Sequence, residues 1–191
     1  KVIKFGKKLL KKNRDIQLYY VLGISYFSLK KYGDAENNFK YVVETRPSAE
    51  NYFIYGNILK KTQNLKEAAK SFEQAIKLKS DYSDAFNNLG NIQKRLGLTT
   101  EAIKNYQKAI ETRKNNLEAY FNLAHLYNEE KKFDDLKNIL LSILKFDKNN
   151  TTALNDLGYL NLIIGNIEEG RKQFQKVLDL DDKHIRAYKN Y

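Results

Sequence analysis

Along residues 83–116 apolar side chains return in steps of three and four, as at Phe86, Leu89, Ile92 and Leu96. That spacing gathers them on one face of an α-helix. A break at "RLGLTT" follows, and the pattern after it predicts a second helix. The whole stretch then repeats. "SDAFNNLGNIQKRLGLTTEAIKNYQKAIETRKNN" (83–116) aligns without a gap with "AENYFIYGNILKKTQNLKEAAKSFEQAIKLKSDY" (49–82). Residues 117–150 and 151–184 keep the register, and residues 16–48 fit it one residue short. Five copies cover 169 of the 191 residues. A period of this length signals an array of supersecondary units.

Each copy is predicted to be a helical hairpin, broken inside at "KKTQN", "RLGLTT" and "IIGN" and separated from the next at "KSDYS" and "KNNT". A lone hairpin cannot bury its apolar stripe, so it must stack on its neighbours. The expected fold class is therefore all-α, an α-solenoid of stacked antiparallel hairpins. Small residues support close packing of the two helices. Gly23, Gly56, Gly90, Ala124 and Gly158 recur in the first helix, and Ala35, Ala68 and Ala102 near the start of the second. The fourth copy departs, since Leu136, Leu140 and Ile143 put bulk where other copies use smaller residues or a ring. Its helices are expected to stand further apart.

These segments resemble the tetratricopeptide repeat, whose pattern is W-x2-L-G-x2-Y, then A-x3-F, then P. Tyr19, Tyr52, Phe86, Tyr120 and Leu154 occupy the aromatic position. Leu22-Gly23, Tyr55-Gly56, Leu89-Gly90, Leu123-Ala124 and Leu157-Gly158 follow it. The A-x3-F pair reads Ala35/Phe39, Ala68/Phe72 and Ala102/Tyr106, then departs to Leu136/Leu140 and Gly170/Phe174, and only Pro47 fills the proline position. The resemblance implies a right-handed superhelix whose first helices line a concave groove. It divides the chain into copies at 16–48, 49–82, 83–116, 117–150 and 151–184. Residues 1–15, with Phe5, Leu9 and Leu10, fit the second helix of a truncated preceding copy, and 185–191, with Tyr188, the start of a following one. With no Met at position 1, a longer parent chain is expected, or ends covered by self-association.

The groove positions implied by the resemblance divide by chemistry. Tyr20, Ile24, Phe27 and Phe53, with Val21 and Ile54, make an apolar, aromatic early part. Asn57, Lys60, Lys61, Asn87, Asn88, Asn91, Lys94 and Arg95 make an amide-rich, basic middle. Phe121, Asn122, His125, Asn155, Asp156 and Tyr159 make the far part. Asn is a mediocre helix former, yet three stand in "AFNNLGNIQKRLG". On this reading all three point into the groove and Gly90 points into the hairpin seam. Asn88, Asn122 and Asp156 at the sixth position resemble part of the asparagine ladder of O-linked N-acetylglucosamine transferases, in which amides hold a peptide backbone. The residues that clamp two carboxylates in other family members are not matched, because Phe53 and Glu118 replace cations.

Composition narrows the chemistry. Without Cys there is no disulfide, thiolate metal site or cysteine nucleophile. No apolar run approaches a membrane span of roughly 18 residues. The net charge of +11 is graded, with +6 in residues 1–15, +6 in 16–116 and −1 in 117–191. That gradient permits nucleic-acid binding, but Phe5, Leu9 and Leu10 interleave the Lys residues as a packing face would. His125 and His184 have no matching ligand set, so no metal and no cofactor is expected. Acidic pairs such as Asp134-Asp135 and Glu168-Glu169 fall at predicted helix starts, where the helix dipole favours them. No nucleophile elbow, phosphate loop or dinucleotide motif is present. The expectation is a non-enzymatic protein-interaction scaffold that takes an extended peptide, with acidic groups, or a partner helix. The alternatives are the substrate-recognition arm of a larger enzyme such as a glycosyltransferase, and a nucleic-acid binder.

Overall fold

The computed structural model describes residues 15–190 together with Ile3 and Gly6. Phe5, Leu9 and Leu10, on which the expected preceding helix rests, lie outside the described residues, as does Tyr191. Among the described residues from 15 onward there are eleven α-helices and no strand. The chain divides into two compact units. The first, ending at Thr112, contains α1 (Ile16–Ser28), α2 (Tyr32–Thr45), α3 (Ala49–Lys61), α4 (Leu65–Leu78), α5 (Ser83–Arg95) and α6 (Thr99–Thr112). The second, from Arg113, contains α7 (Leu117–Glu129), α8 (Phe133–Phe146), α9 (Thr151–Ile163), α10 (Ile167–Leu180) and the short α11 (Ile185–Asn190).

Helix starts follow from capping chemistry. Asp15, Ser48, Asn116 and Asn150 each accept a hydrogen bond from a backbone N–H in the first turn of α1, α3, α7 and α9. Short polar side chains at this position satisfy donors that the helix leaves orphaned. The "KNN" junctions are thus structural. Each hairpin turn contains one residue in the left-handed region, at Lys30, Gln63, Gly97, Lys131 and Gly165. Glycine takes this conformation without cost, whereas a side chain meets the following carbonyl.

Packing inside each hairpin turns on the small residue of its first helix. Gly23, Gly56, Gly90 and Gly158 present bare backbone to Phe39, Phe72, Tyr106 and Phe174 of the second helix. Added methyls would stand 2.4, 2.7, 2.7 and 2.8 Å from those rings. All four rings are completely buried. In the first unit this seam joins two clusters, one built on Leu22, Phe39 and Val42, the other on Leu59, Phe72, Leu89 and Ile92. In the second unit Leu154, Phe174, Val177 and Ala187 form the corresponding core. The fourth hairpin carries Ala124 in place of glycine and Leu140 in place of the ring, both buried. Its helices, α7 and α8, are packed less closely than those of the other hairpins, in keeping with the sequence expectation.

The seam and the turns can each be probed by one substitution. Gly90→Ala gains helix propensity of about 1 kcal/mol, yet drives a methyl into the Tyr106 ring. The overpacking costs about 1–3 kcal/mol, so a net loss of up to about 2 kcal/mol is expected, read as a lower urea midpoint. Lys131→Gly relieves a side chain held at φ 55°. After the added freedom of the unfolded chain is subtracted, stability should rise by roughly 0.5–1 kcal/mol in the same assay.

Candidate functional site

Two cavities, one in each unit, collect half of the expected groove residues. In the first unit Ile24 and Phe27 of α1 meet Ile54, Asn57, Lys60 and Lys61 of α3 around about 280 Å³. Phe27 is braced edge-on by Tyr32, with ring centroids 5.6 Å apart. Lys60 Nζ donates to Asn88 Oδ1 of α5 at 2.7 Å, so the middle amide of the three-asparagine stretch lies beside the ammonium at the rim. Asn57 donates its amide back to the Phe53 carbonyl at 3.1 Å. Lys60, Lys61, Lys94 and Arg95 all sit in the last turns of their helices, where the dipole also favours cations. Arg95 reaches back to the Gln63 side chain.

Several expected groove residues turn elsewhere. Tyr20 packs against Phe39, 5.4 Å between centroids with the rings tilted by 54°, and lines a different cavity with Ile16, Val42 and Asn51. Phe53 packs against Phe72 and Tyr82, at 5.8 and 4.8 Å. Asn87 is 2% exposed, buried rather than presented to the groove. Asn91 accepts a 2.8 Å hydrogen bond from the Tyr106 hydroxyl of α6. These residues occupy the fifth and ninth positions of their copies. Four residues apart on a helix is one stripe, and it is shared: Tyr20, Phe53 and Asn91 turn to neighbouring side chains, whereas Ile24 and Asn57 at the ninth position line the cavity. Of Asn87, Asn88 and Asn91, then, one is buried, one stands beside Lys60 and one receives a core hydroxyl. Gly90 faces the seam as expected.

In the second unit a cavity of about 330 Å³ opens at the loosely packed α7/α8 hairpin. Phe121, His125, Asp156 and Tyr159, all expected groove residues, line it. The walls also include Thr152 and Asn128, at the second and twelfth positions of their copies, and Ala124, Leu136 and Leu160, which the repeat pattern does not assign to the groove. The sequence signal for them is Leu136, a departure from that pattern. His125 Nε2 lies 3.4 Å from Glu129 Oε1. Asn122 is half-buried, one position from the lining Phe121.

Asp156 is held by Asn155. The Asn155 amide donates to Asp156 Oδ1 at 3.3 Å, while its own Oδ1 is buried with no hydrogen-bond partner. At 4% exposure Asn155 lies below the surface rather than in the groove. An unpaired buried acceptor costs about 1–3 kcal/mol, so it calls for an explanation. Burial pushes the Asp156 carboxyl above its ordinary value, against the Asn155 hydrogen bond and the charges of Arg186, His125 and His184. Among the described residues no group of three or more His, Asp or Glu is placed to hold a metal ion, and no helix is long and apolar enough to cross a membrane.

This carboxyl makes stability depend on pH. With its folded pKa above the unfolded one, the group costs stability above the folded value and nothing below the unfolded value of 3.8. Asp156→Asn should therefore raise the melting temperature at pH 7. The gain should fade as pH drops through the folded pKa and vanish near pH 4. Thermal melts of both proteins across that range check it.

Tetratricopeptide repeat models match residues 83–116, 105–136 and 151–184, and a model described as a TPR repeat matches 56–97. No curated protein matches the chain. Among solved structures it is similar to YrrB, a TPR protein with an unusual peptide-binding site, at 22% identity over 96% of both chains with a TM-score of 0.74. It is similar to MamA at 19% identity, over 90% of this chain and 94% of that one, with a TM-score of 0.79. It is also similar to the C-terminal part of a TPR repeat-containing protein from Cytophaga hutchinsonii, at 18% identity over 93% and 72% of the chains, with a TM-score of 0.83. At such identities the likeness concerns the fold. Repeat models over more than half of the chain, together with the stacked hairpins, place it in the tetratricopeptide repeat family.

Proposed function

We propose that this protein is a non-catalytic interaction scaffold whose first helices bind an extended peptide. The observation that carries this reading is the gathering of half of the expected groove residues into two lined cavities, one per unit. The first joins an apolar floor of Ile24, Phe27 and Ile54 to Lys60 and Lys61. It suits an apolar side chain flanked by a carboxylate, in line with the +10 balance of residues 1–112. Asn57 at the same cavity supplies amide chemistry that serves a peptide unit whatever its side chain. The shared fold with a protein that has a peptide-binding site of its own supports the same reading.

Selection from a random displayed peptide library is expected to yield binders to the purified chain. For binders rich in Asp or Glu, Lys61→Glu should weaken affinity about tenfold, equivalent to 1.4 kcal/mol, in calorimetric titration. Lys61 is exposed, so melting temperature should hold. An empty selection, or acidic binders indifferent to Lys61→Glu, would overturn the reading.

A further inference from the structure

We infer that the cavity of the second unit receives the guanidinium of an arginine side chain, an assignment that rests on the peptide-binding reading and names its chemistry at this site. Phe121 and Tyr159 give it aromatic walls, with Tyr159 still 49% exposed, while Leu136 and Leu160 are buried at its base. Asp156 is the only carboxylate among its described lining residues, and no lysine or arginine is among them. An apolar guest would strip water from that carboxylate and give it no counter-charge, which is unfavourable. A cation removes that penalty.

Three observations say the carboxylate is kept for a guest. It accepts a hydrogen bond from Asn155 at 3.3 Å, a long contact that leaves acceptor capacity on its oxygens. Asn155 holds that bond although its own oxygen is left buried and unpartnered, so orienting Asp156 is maintained against a local cost. The basic side chains of this unit that bear on Asp156, namely Arg186, His184 and His125, make no hydrogen bond to it and act through space. Arg186 and His184 line the adjoining cavity instead, and His125, which shares this one, sets its Nε2 3.4 Å from Glu129.

A guanidinium fits better than an ammonium. It is flat and weakly hydrated, stacks on aromatic faces and meets a carboxylate with two parallel N–H donors. The walls offer rings and the lining offers one carboxylate, which is the complement of that shape. The first unit's lysine-bearing cavity selects the opposite charge, so the two cavities read different side chains.

The test uses four capped pentapeptides, Ala-Ala-Xaa-Ala-Ala with Xaa as Arg, Lys, Leu or Glu, titrated into the isotope-labelled full chain. Backbone amide signals of Phe121, His125 and Tyr159 report on this cavity, and those of Ile54, Asn57 and Lys61 on the other. The Arg peptide is expected to shift the first set with about tenfold higher affinity than the Leu or Glu peptide. Asp156→Asn should abolish that preference while the remaining spectrum stays in place. A Leu or Lys peptide that matches the Arg peptide there, or an Arg preference that survives Asp156→Asn, overturns the guanidinium assignment. If the Glu peptide still shifts the first unit's signals, the scaffold reading survives that failure. Silence of both sets toward every peptide overturns the two together.

Discussion

A bare stretch of helix backbone pressed by an aromatic ring is the contact on which the hairpins depend. Gly23, Gly56, Gly90 and Gly158 admit Phe39, Phe72, Tyr106 and Phe174 so closely that a single methyl would not fit. A buried ring removes some 150–250 Å² from water, a large share of the apolar surface that so small a unit can bury. The ring also fixes how near the two helices come. Where the fourth hairpin substitutes Ala124 and Leu140, that gauge is absent, and the second unit's cavity opens against Ala124 and Leu136. Sites are expected where a local rule is broken. Here the break and the cavity share residues.

The many asparagines have no common purpose. Asn116 and Asn150 cap helices, Asn91 receives the Tyr106 hydroxyl, and Asn51 donates to the Arg46 carbonyl. Asn88 takes the Lys60 ammonium, and Asn155 holds Asp156. An amide offers a donor and an acceptor in one short side chain, so each setting uses the half it needs. Abundance alone says little about any of these tasks.

The fold is legible in the sequence because the apolar spacing, the 34-residue register and the small residues at the seam all point the same way. The groove is legible in part. Ile24, Phe27, Asn57, Lys60 and Lys61 come together, as do Phe121, His125, Asp156 and Tyr159. Tyr20, Phe53, Asn87, Asn91 and Asn155 defy the pattern for one reason. A helix of 3.6 residues per turn puts the fifth and ninth positions on the border between two faces. Only the neighbouring helix decides which face claims them. The cavity of the second unit is signalled in the sequence only by the departure at Leu136, because it arises from looser packing rather than from a motif. The left-handed turns at Lys30, Gln63 and Lys131 are hidden as well, since Lys and Gln give no hint of that backbone, while Gly97 and Gly165 do.

Within each unit, helices pack chiefly on those next to them in the chain. Almost every interaction is thus within reach of a short loop, and closing such loops costs little entropy. A wound to one hairpin is quarantined, since the damage can travel only by loosening an adjacent neighbour. Such an architecture leaves single copies free to drift in sequence while the others hold their shape, as the fourth hairpin does with Ala124, Leu136 and Leu140.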